Sequence, residues 1–207
     1  RLADLPSEQT ILGDRAGHAS SQVSSLDFHI AKHDYLAWKS HLVMEVSDFT
    51  ILLSVFALLV SKINGHFDSA IAYPIAISKT TDIAIGATVN TAITRFAAGH
   101  GGTFAEILQQ QSQHIKDEIA NAALPIYDLA DCLHGTTLGI GFAQTNLKTR
   151  PLQLEGCVCQ VLNEYYVDIA GKDLVLEYDV ACDDQITFRI KFCKQYTKST
   201  FRYNYSS

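Results

Sequence analysis

The sequence predicts a layered α/β or α+β domain, and three observations carry that prediction. From Ser47 to Gly65 apolar residues recur at i, i+3, i+4 and i+7, the spacing of a buried helix. Thr103-Phe104-Ala105-Glu106 has the form of a capping box and opens a second helix. After residue 136 the pattern turns to strand-like runs, so helices lead, strands follow, and the two alternate in the middle. At 207 residues, 47% hydrophobic and 18% charged, the chain can bury one sizeable core or two small ones.

Residues 1–19 (RLADLPSEQTILGDRAGHA) are polar and turn-rich and read as a lead-in arm or linker, leaving 20–207 as the folded unit. Ser20 to Ile30 alternates loosely, as a strand does. Lys32 to Val46 has helical spacing through Tyr35, Trp38, Leu42 and Val46. In the helix that follows, Ser47 is the expected N-cap and Asp48 complements the positive end of the dipole. Leu52, Phe56, Leu59 and Ile63 form its stripe, and Asn64-Gly65 stops it. Ile51, Val55 and Leu58 make it apolar almost all round, which predicts burial on both sides. Ser69 to Ile77 reads as a strand in which Pro74 marks an edge or a bulge.

Residues 85–96 (IGATVNTAITRF) read as another strand, with a polar pair, Asn90 and Thr91, set inside it. A buried amide without partners is costly, so Asn90 is either pinned in a backbone network or lines a cavity. The capping-box helix runs from Thr103 to about Asn121, with Phe104, Ile107, Leu108 and Ile115 inward. Leu124-Pro125 opens a short helix to Leu133. Strands are expected over Thr137–Asn146, Val158–Ile169, Leu174–Val180 and Ile186–Phe192. The last two form a hairpin whose apolar faces must match. Pairing Asp179 with Arg189 and Glu177 with Lys191 satisfies this, and it sets Tyr178 opposite Ile190 and Leu176 opposite Phe192.

Composition and motifs exclude much. A net charge of −6 gives no basic face for nucleic acid. The longest apolar run, Ile51 to Val60, contains Ser54 and is too short to span a bilayer, so no membrane association is expected. The five cysteines (132, 157, 159, 182 and 193) are odd in number and lack CxxC spacing, which reads as reduced thiols in a cytoplasmic protein. GxSxG, P-loop, GxGxxG and HExxH motifs are absent. His29 and His33 fall at a strand end and a helix start, so they do not share a face for a metal. His114 and Glu118 lie four apart on the polar face of the later helix without a third ligand; a local ion pair accounts for them. Cys157 and Cys159 would share one side of a strand, which packing explains as well as reactivity does. No catalytic residue and no metal site emerge from these patterns.

The order and wording of the segments do resemble a family. Leu5-Pro6 is similar to an L-P lead-in, and Ser47–Gly65 (SDFTILLSVFALLVSKING) resembles a T-x-F-x-x-L-x-A-x-x-x-L-L-x-x-x-x-G helix. Ile85-Gly86 with Val89-Asn90-Thr91 matches G-x-x-V-N-T, with Arg95 near its closing arginine. Thr103 to Leu108 matches T-F-x-E-L-L, Leu124-Pro125 with Leu129 resembles L-P-F-E-x-L-V, and Asp173-Leu174 stands where D-L-x-L begins a later strand. Together these resemble the C-terminal half of the condensation domains of nonribosomal peptide synthetases, within the chloramphenicol-acetyltransferase-like acyltransferases. Departures occur: Ile126 and Tyr127 replace the family's Phe and Glu, and 134–142 (HGTTLGIGF) replaces an arginine- and proline-containing segment. The family's H-H-x-x-x-D-G, which carries its catalytic histidine and belongs to its N-terminal half, occurs nowhere in this chain.

The resemblance implies a mixed β-sheet with helices packed on one face, as the C-terminal lobe only. It implies a role as the substrate-channel and docking lobe of an enzyme that joins a carrier-bound acyl group to an amine or hydroxyl. Asn90 and Thr91 would then line the substrate channel where the two halves meet. The partners implied are the N-terminal half of the same domain and carrier protein domains. Their phosphopantetheine arms carry the substrates, and no cofactor binds this lobe directly. The lobe alone is expected to be inactive, and a first residue of Arg1 is expected of a piece of a longer chain. Two alternatives keep the fold: a non-catalytic interaction module, and half of a free-standing coenzyme A-dependent acyltransferase.

Overall fold

The computed structural model describes residues 5, 8–9, 23–77, 88–97, 102–129, 133, 136–145, 154–157, 172–180 and 184–193. Strand β1 (Glu8–Gln9) is followed by β2 (Val23–Ala31), α1 (Lys32–Lys39), α2 (Asp48–Asn64), β3 (Asp68–Ala76) and β4 (Val89–Ala97). Helix α3 (Phe104–Ala120) and a 3-10 turn (Ile126–Leu129) lead to β5 (Thr137–Leu138), β6 (Ile140–Gln144), β7 (Leu174–Asp179) and β8 (Gln185–Cys193). Six strands form one mixed sheet in the order β2-β8-β7-β6-β3-β4, and β1 pairs in parallel with β5. Glu8 and Gln9 of the lead-in arm are thus hydrogen-bonded into the fold. The expected strand over Val158–Ile169 lies outside the described residues.

Helix α2 forms where its pattern places it. Ser47 accepts from the Thr50 N–H at 3.1 Å, and Gly65 closes the helix at φ 72°, a left-handed conformation open to glycine at little cost. Ile51, Leu53, Phe56, Ala57 and Val60 are buried. Ser54 and Ser61 are buried as well, each donating to the carbonyl four residues back at 2.8 Å. Burial on both sides was expected, but Val55 and Leu59 are 45% and 43% exposed, so one narrow apolar stripe stays open. Phe56 stacks on Phe142 of β6, and Phe49 touches both Phe142 and Tyr73 of β3. Leu174, Leu176 and Tyr178 of β7 and Ile186 and Phe188 of β8 complete the core on the same side of the sheet.

Helix α1 is shorter than its spacing predicts. It stops at Lys39 because the side chains of Ser40 and His41 both bond the Ala37 carbonyl and compete with the next helical turn. Lys39 and Tyr35 instead reach the first residue of α2. Tyr35 Oη donates to Asp48 Oδ1 at 2.7 Å, and Lys39 Nζ donates to the same oxygen at 2.6 Å. Burial alone would raise the Asp48 carboxyl. These two hydrogen bonds and the nearby lysines outweigh it and hold the carboxyl below its ordinary value.

The β7–β8 hairpin pairs two residues away from the expected register. Glu177 faces Arg189, Tyr178 faces Phe188 and Leu176 faces Ile190, so like faces still meet. The third strand decides between registers of equal parity. β2 lies on the far side of β8 with Asp27 opposite Arg189, and that pair is bidentate at 2.8 and 2.9 Å. Lys191 reaches Glu177 diagonally at 2.6 Å. The strand expected over 137–146 is cut in two at Gly139, whose carbonyl accepts from the Asp173 and Leu174 N–H groups. Of the short helix expected to Leu133, the described residues show the single turn Ile126–Leu129.

Candidate functional site

Strand β4 is an edge of the six-stranded sheet, and its outward amides need partners. Ile77 N–H donates to the Thr88 carbonyl at 2.9 Å, which sets the antiparallel alternation with β3. Asn90, paired with Ile75, therefore turns its backbone to β3, and the Thr91 N–H points outward. That N–H donates to Asn90 Oδ1 at 2.8 Å. Asn90 Nδ2 donates to the carbonyls of Ala122 and Leu124, at 2.9 and 2.6 Å, in the turn after α3. Further along, Gln111 Nε2 donates to the Arg95 carbonyl at 3.4 Å, and Thr94 Oγ1 donates to Gln111 Oε1 at 3.2 Å. Two side-chain amides thus blunt this edge and fasten α3 to it. At the strand's far end Arg95 grips Asp68 of β3 with two bonds of 2.8 and 2.7 Å.

Beside the Asn90 clamp opens a cleft of about 290 Å³. Its walls include Ile75, Asn90, Thr91, Glu118, Asn121 and Leu124. Asn90 is therefore both pinned by backbone and set on a cavity wall. Of the two structural readings open at the sequence level, the structure contains both. Glu118 is not on a solvated face as expected; it accepts from Tyr73 Oη at 2.7 Å, tying the C-terminal part of α3 to β3. α3 begins with the expected capping box: Glu106 N–H donates to Thr103 Oγ1 at 3.3 Å, and Thr103 N–H to Glu106 Oε2 at 2.7 Å.

Thr91 also borders a second cleft, of about 210 Å³, on the sheet face opposite the helices. It lies where β3 and β6 part, since those strands pair only at Ala72 and Gly141. Pro74 is tolerated in β3 because β6 has already diverged there. Lys172, Glu177 and the small residues Gly141 and Ala143 line this second cleft. Lys172 was missed in the sequence; a glycine inside a strand, Gly141, was the signal that something approaches closely. His29 is exposed on β2, and His33 pairs with its neighbour Asp34 at 3.1 Å. Cys157 is exposed and Cys159 lies outside the described residues. Among the described residues, no three His, Cys, Asp or Glu side chains converge, and no helix is long and apolar enough to cross a membrane.

No protein-family model matches the sequence, and no curated protein matches it significantly. Solved structures do match. The X-domain from teicoplanin biosynthesis superposes with a TM-score of 0.78 at 15% identity, over 97% of this chain and 49% of that one. The complex of that X-domain with OxyB gives a TM-score of 0.79 at 15% identity, over 97% and 47%. The starter condensation domain of rhizomide synthetase gives 0.68 at 17% identity, over 96% and 45%. The fold is that of a condensation domain. This chain spans about half the length of the X-domain and the starter condensation domain it matches. A four-domain nonribosomal peptide synthetase bound to AMP and glycine also matches, at a TM-score of 0.76 and 20% identity over 95% of this chain and 17% of that one. The mixed sheet with helices packed on one face, expected from the sequence, is the arrangement described above.

Proposed function

We propose that this chain is the C-terminal, substrate-channel and docking lobe of a condensation domain in nonribosomal peptide synthesis. The observation that carries the proposal is the surface around the Asn90 clamp. Ile77, Val89, Ile119, Leu124 and Tyr127 are all large, apolar and exposed there, Tyr127 at 86%. Leu124 lines the cleft itself, and the Asn90 clamp holds the polar wall of that cleft in place. An apolar surface of this kind marks a place where another protein surface docks. The second half of the domain is that surface, and the cleft becomes part of the passage for carrier-bound acyl and acceptor groups. Asn90 and Thr91 line the passage. Asn90 holds the α3 turn against β4, and Thr91 sits between the two clefts. This lobe orients substrates; the proton of the attacking amine or hydroxyl is taken by the histidine that the other half supplies.

A second reading is favoured by one observation. The X-domain gives TM-scores of 0.78 and 0.79, and its structure with OxyB is of a condensation-fold domain in complex with another protein. On that reading this lobe is part of a non-catalytic interaction module. Reading the gene upstream of Arg1 and assaying the full-length protein with carrier-bound thioesters separates the two. The condensation reading expects H-H-x-x-x-D-G upstream and amide or ester product. Carrier binding without that motif and without product overturns it in favour of the interaction module. Turnover with acyl coenzyme A and no carrier would instead point to a free-standing acyltransferase.

A further inference from the structure

Lys172 stands just before β7 at the rim of the 210 Å³ cleft and is seated in an unusual way for a lysine. Its stem crosses Gly141: a Cβ at that glycine would lie 3.3 Å from Lys172 Cδ and 3.1 Å from Val175 Cγ2. A side chain there would have to displace the Lys172 stem or the Val175 methyl by a few tenths of an ångström. The ammonium donates to the Leu138 carbonyl at 3.0 Å, a neutral acceptor. Lys39 and Lys191 differ, each resting on a carboxylate at 2.6 Å. Among the described residues no carboxylate touches Lys172. The nearby Glu177 carboxylate is taken by Lys191. The molecule therefore holds a half-buried amine, with no counter-ion among the described residues, against a small cleft floored by Ala72, Pro74, Gly141 and Ala143.

We propose that Lys172 is an acyl-acceptor site, taking short acyl groups from coenzyme A or pantetheine thioesters in a single self-acylation. The neutral Nζ attacks the thioester carbonyl carbon, a C–N bond forms and the C–S bond breaks. The thiol leaves with one proton of the amine, and the product is an amide; no oxidant or further reactant takes part. Two features favour the step. Burial lowers the ionisation of this amine, so a larger fraction is nucleophilic near neutral pH than for an exposed lysine. Acylation then removes the charge that burial disfavours and lays the acyl chain on the apolar floor. The proposal draws on the reading above only for the thioester as acyl source.

The test uses the natural chain with S-acetyl- and S-hexanoyl-N-acetylcysteamine, with acylation of each lysine followed by peptide mass spectrometry. Lys172 is expected to be acylated several-fold faster than the exposed Lys62 and Lys116, and to retain its lead to lower pH. Its preference for hexanoyl over acetyl should exceed theirs. Ala143→Leu, which fills the cleft floor, should slow Lys172 and leave Lys62 unchanged. Acylation of Lys172 no faster than Lys62, or with no chain-length preference of its own, overturns the proposal. The chain-length comparison needs no variant, so the result stands even if Ala143→Leu fails to fold. Failure here leaves the docking-lobe reading intact, because that reading is tested on the full-length protein with carriers.

Discussion

Asn90 makes three hydrogen bonds with one amide, and each joins backbone that the sheet ladder does not reach. Removing it strands the Thr91 N–H and two turn carbonyls. Asn90→Ala is therefore expected to destabilise this chain by about 1–3 kcal/mol, the usual result of leaving partly buried polar groups unpaired. Urea melts measure it, and a change too small to resolve would mean that water replaces the amide. The sequence made the polar pair conspicuous but left its partners open, because both carbonyls lie more than thirty residues away in a turn with no signature of its own. Asp48 sets a second residue-scale test, in pH. Its folded-state carboxyl lies below the ordinary value of 3.8, so its contribution is fully present above that pH and is lost as pH falls through the folded value. Acid unfolding followed through Trp38, whose ring lies 6.2 Å from that of Tyr35, should begin at lower pH in the natural chain than in Asp48→Asn, which lacks this contribution at every pH. Equal acid midpoints would show that the Tyr35–Asp48–Lys39 cluster does not couple to folding.

Among the elements, α2 is the keel of the core. Phe56 is 2% exposed and packs its ring on Phe142 at 5.8 Å, in the interior that α2 shares with β3, β6 and α3. Phe56→Ala is expected to cost about 3–5 kcal/mol, measured by denaturant melts. A loss below about 1 kcal/mol would place the helix at the periphery. This helix was legible at both caps, Ser47 and Gly65, and α3 at its start, because local rules write these ends: Thr103 and Glu106 form the capping box that opens it. The hairpin was legible only in part. Matching apolar faces fixes register to within two residues, since any even slip keeps like faces together. The choice among even registers rests on β2, where Asp27 claims Arg189, and β2 is more than 150 residues away in the chain. Pairing between neighbours could not reveal a decision made by a distant strand.

At the scale of the whole molecule, the chain alone is expected to show no multiple-turnover condensation or acetyl transfer, since none of its eight histidines sits in H-H-x-x-x-D-G. Radiolabelled acyl transfer to an added amine measures this. Turnover abolished by replacing one of its own histidines would defeat the expectation, whereas one acyl group fixed on Lys172 per chain would not. The order of motifs was enough to read the fold class from the sequence. The clefts were not legible, because they arise where strands separate rather than where residues cluster. The separation of β3 from β6 has a dynamic consequence. With one bridge, Ala72 to Gly141, the sheet is two blocks joined at a crease: β3–β4 held by α3 through Gln111 and Glu118, and β6–β7–β8–β2 held by its own ladders. Backbone amides in the two blocks should exchange with solvent deuterium as two separate cooperative groups rather than one. The crease is then expected to flex, one block tilting against the other and changing the gap between Thr91 and Lys172; exchange as a single cooperative group would show that α2, packed on both blocks through Phe49 and Phe56, locks it.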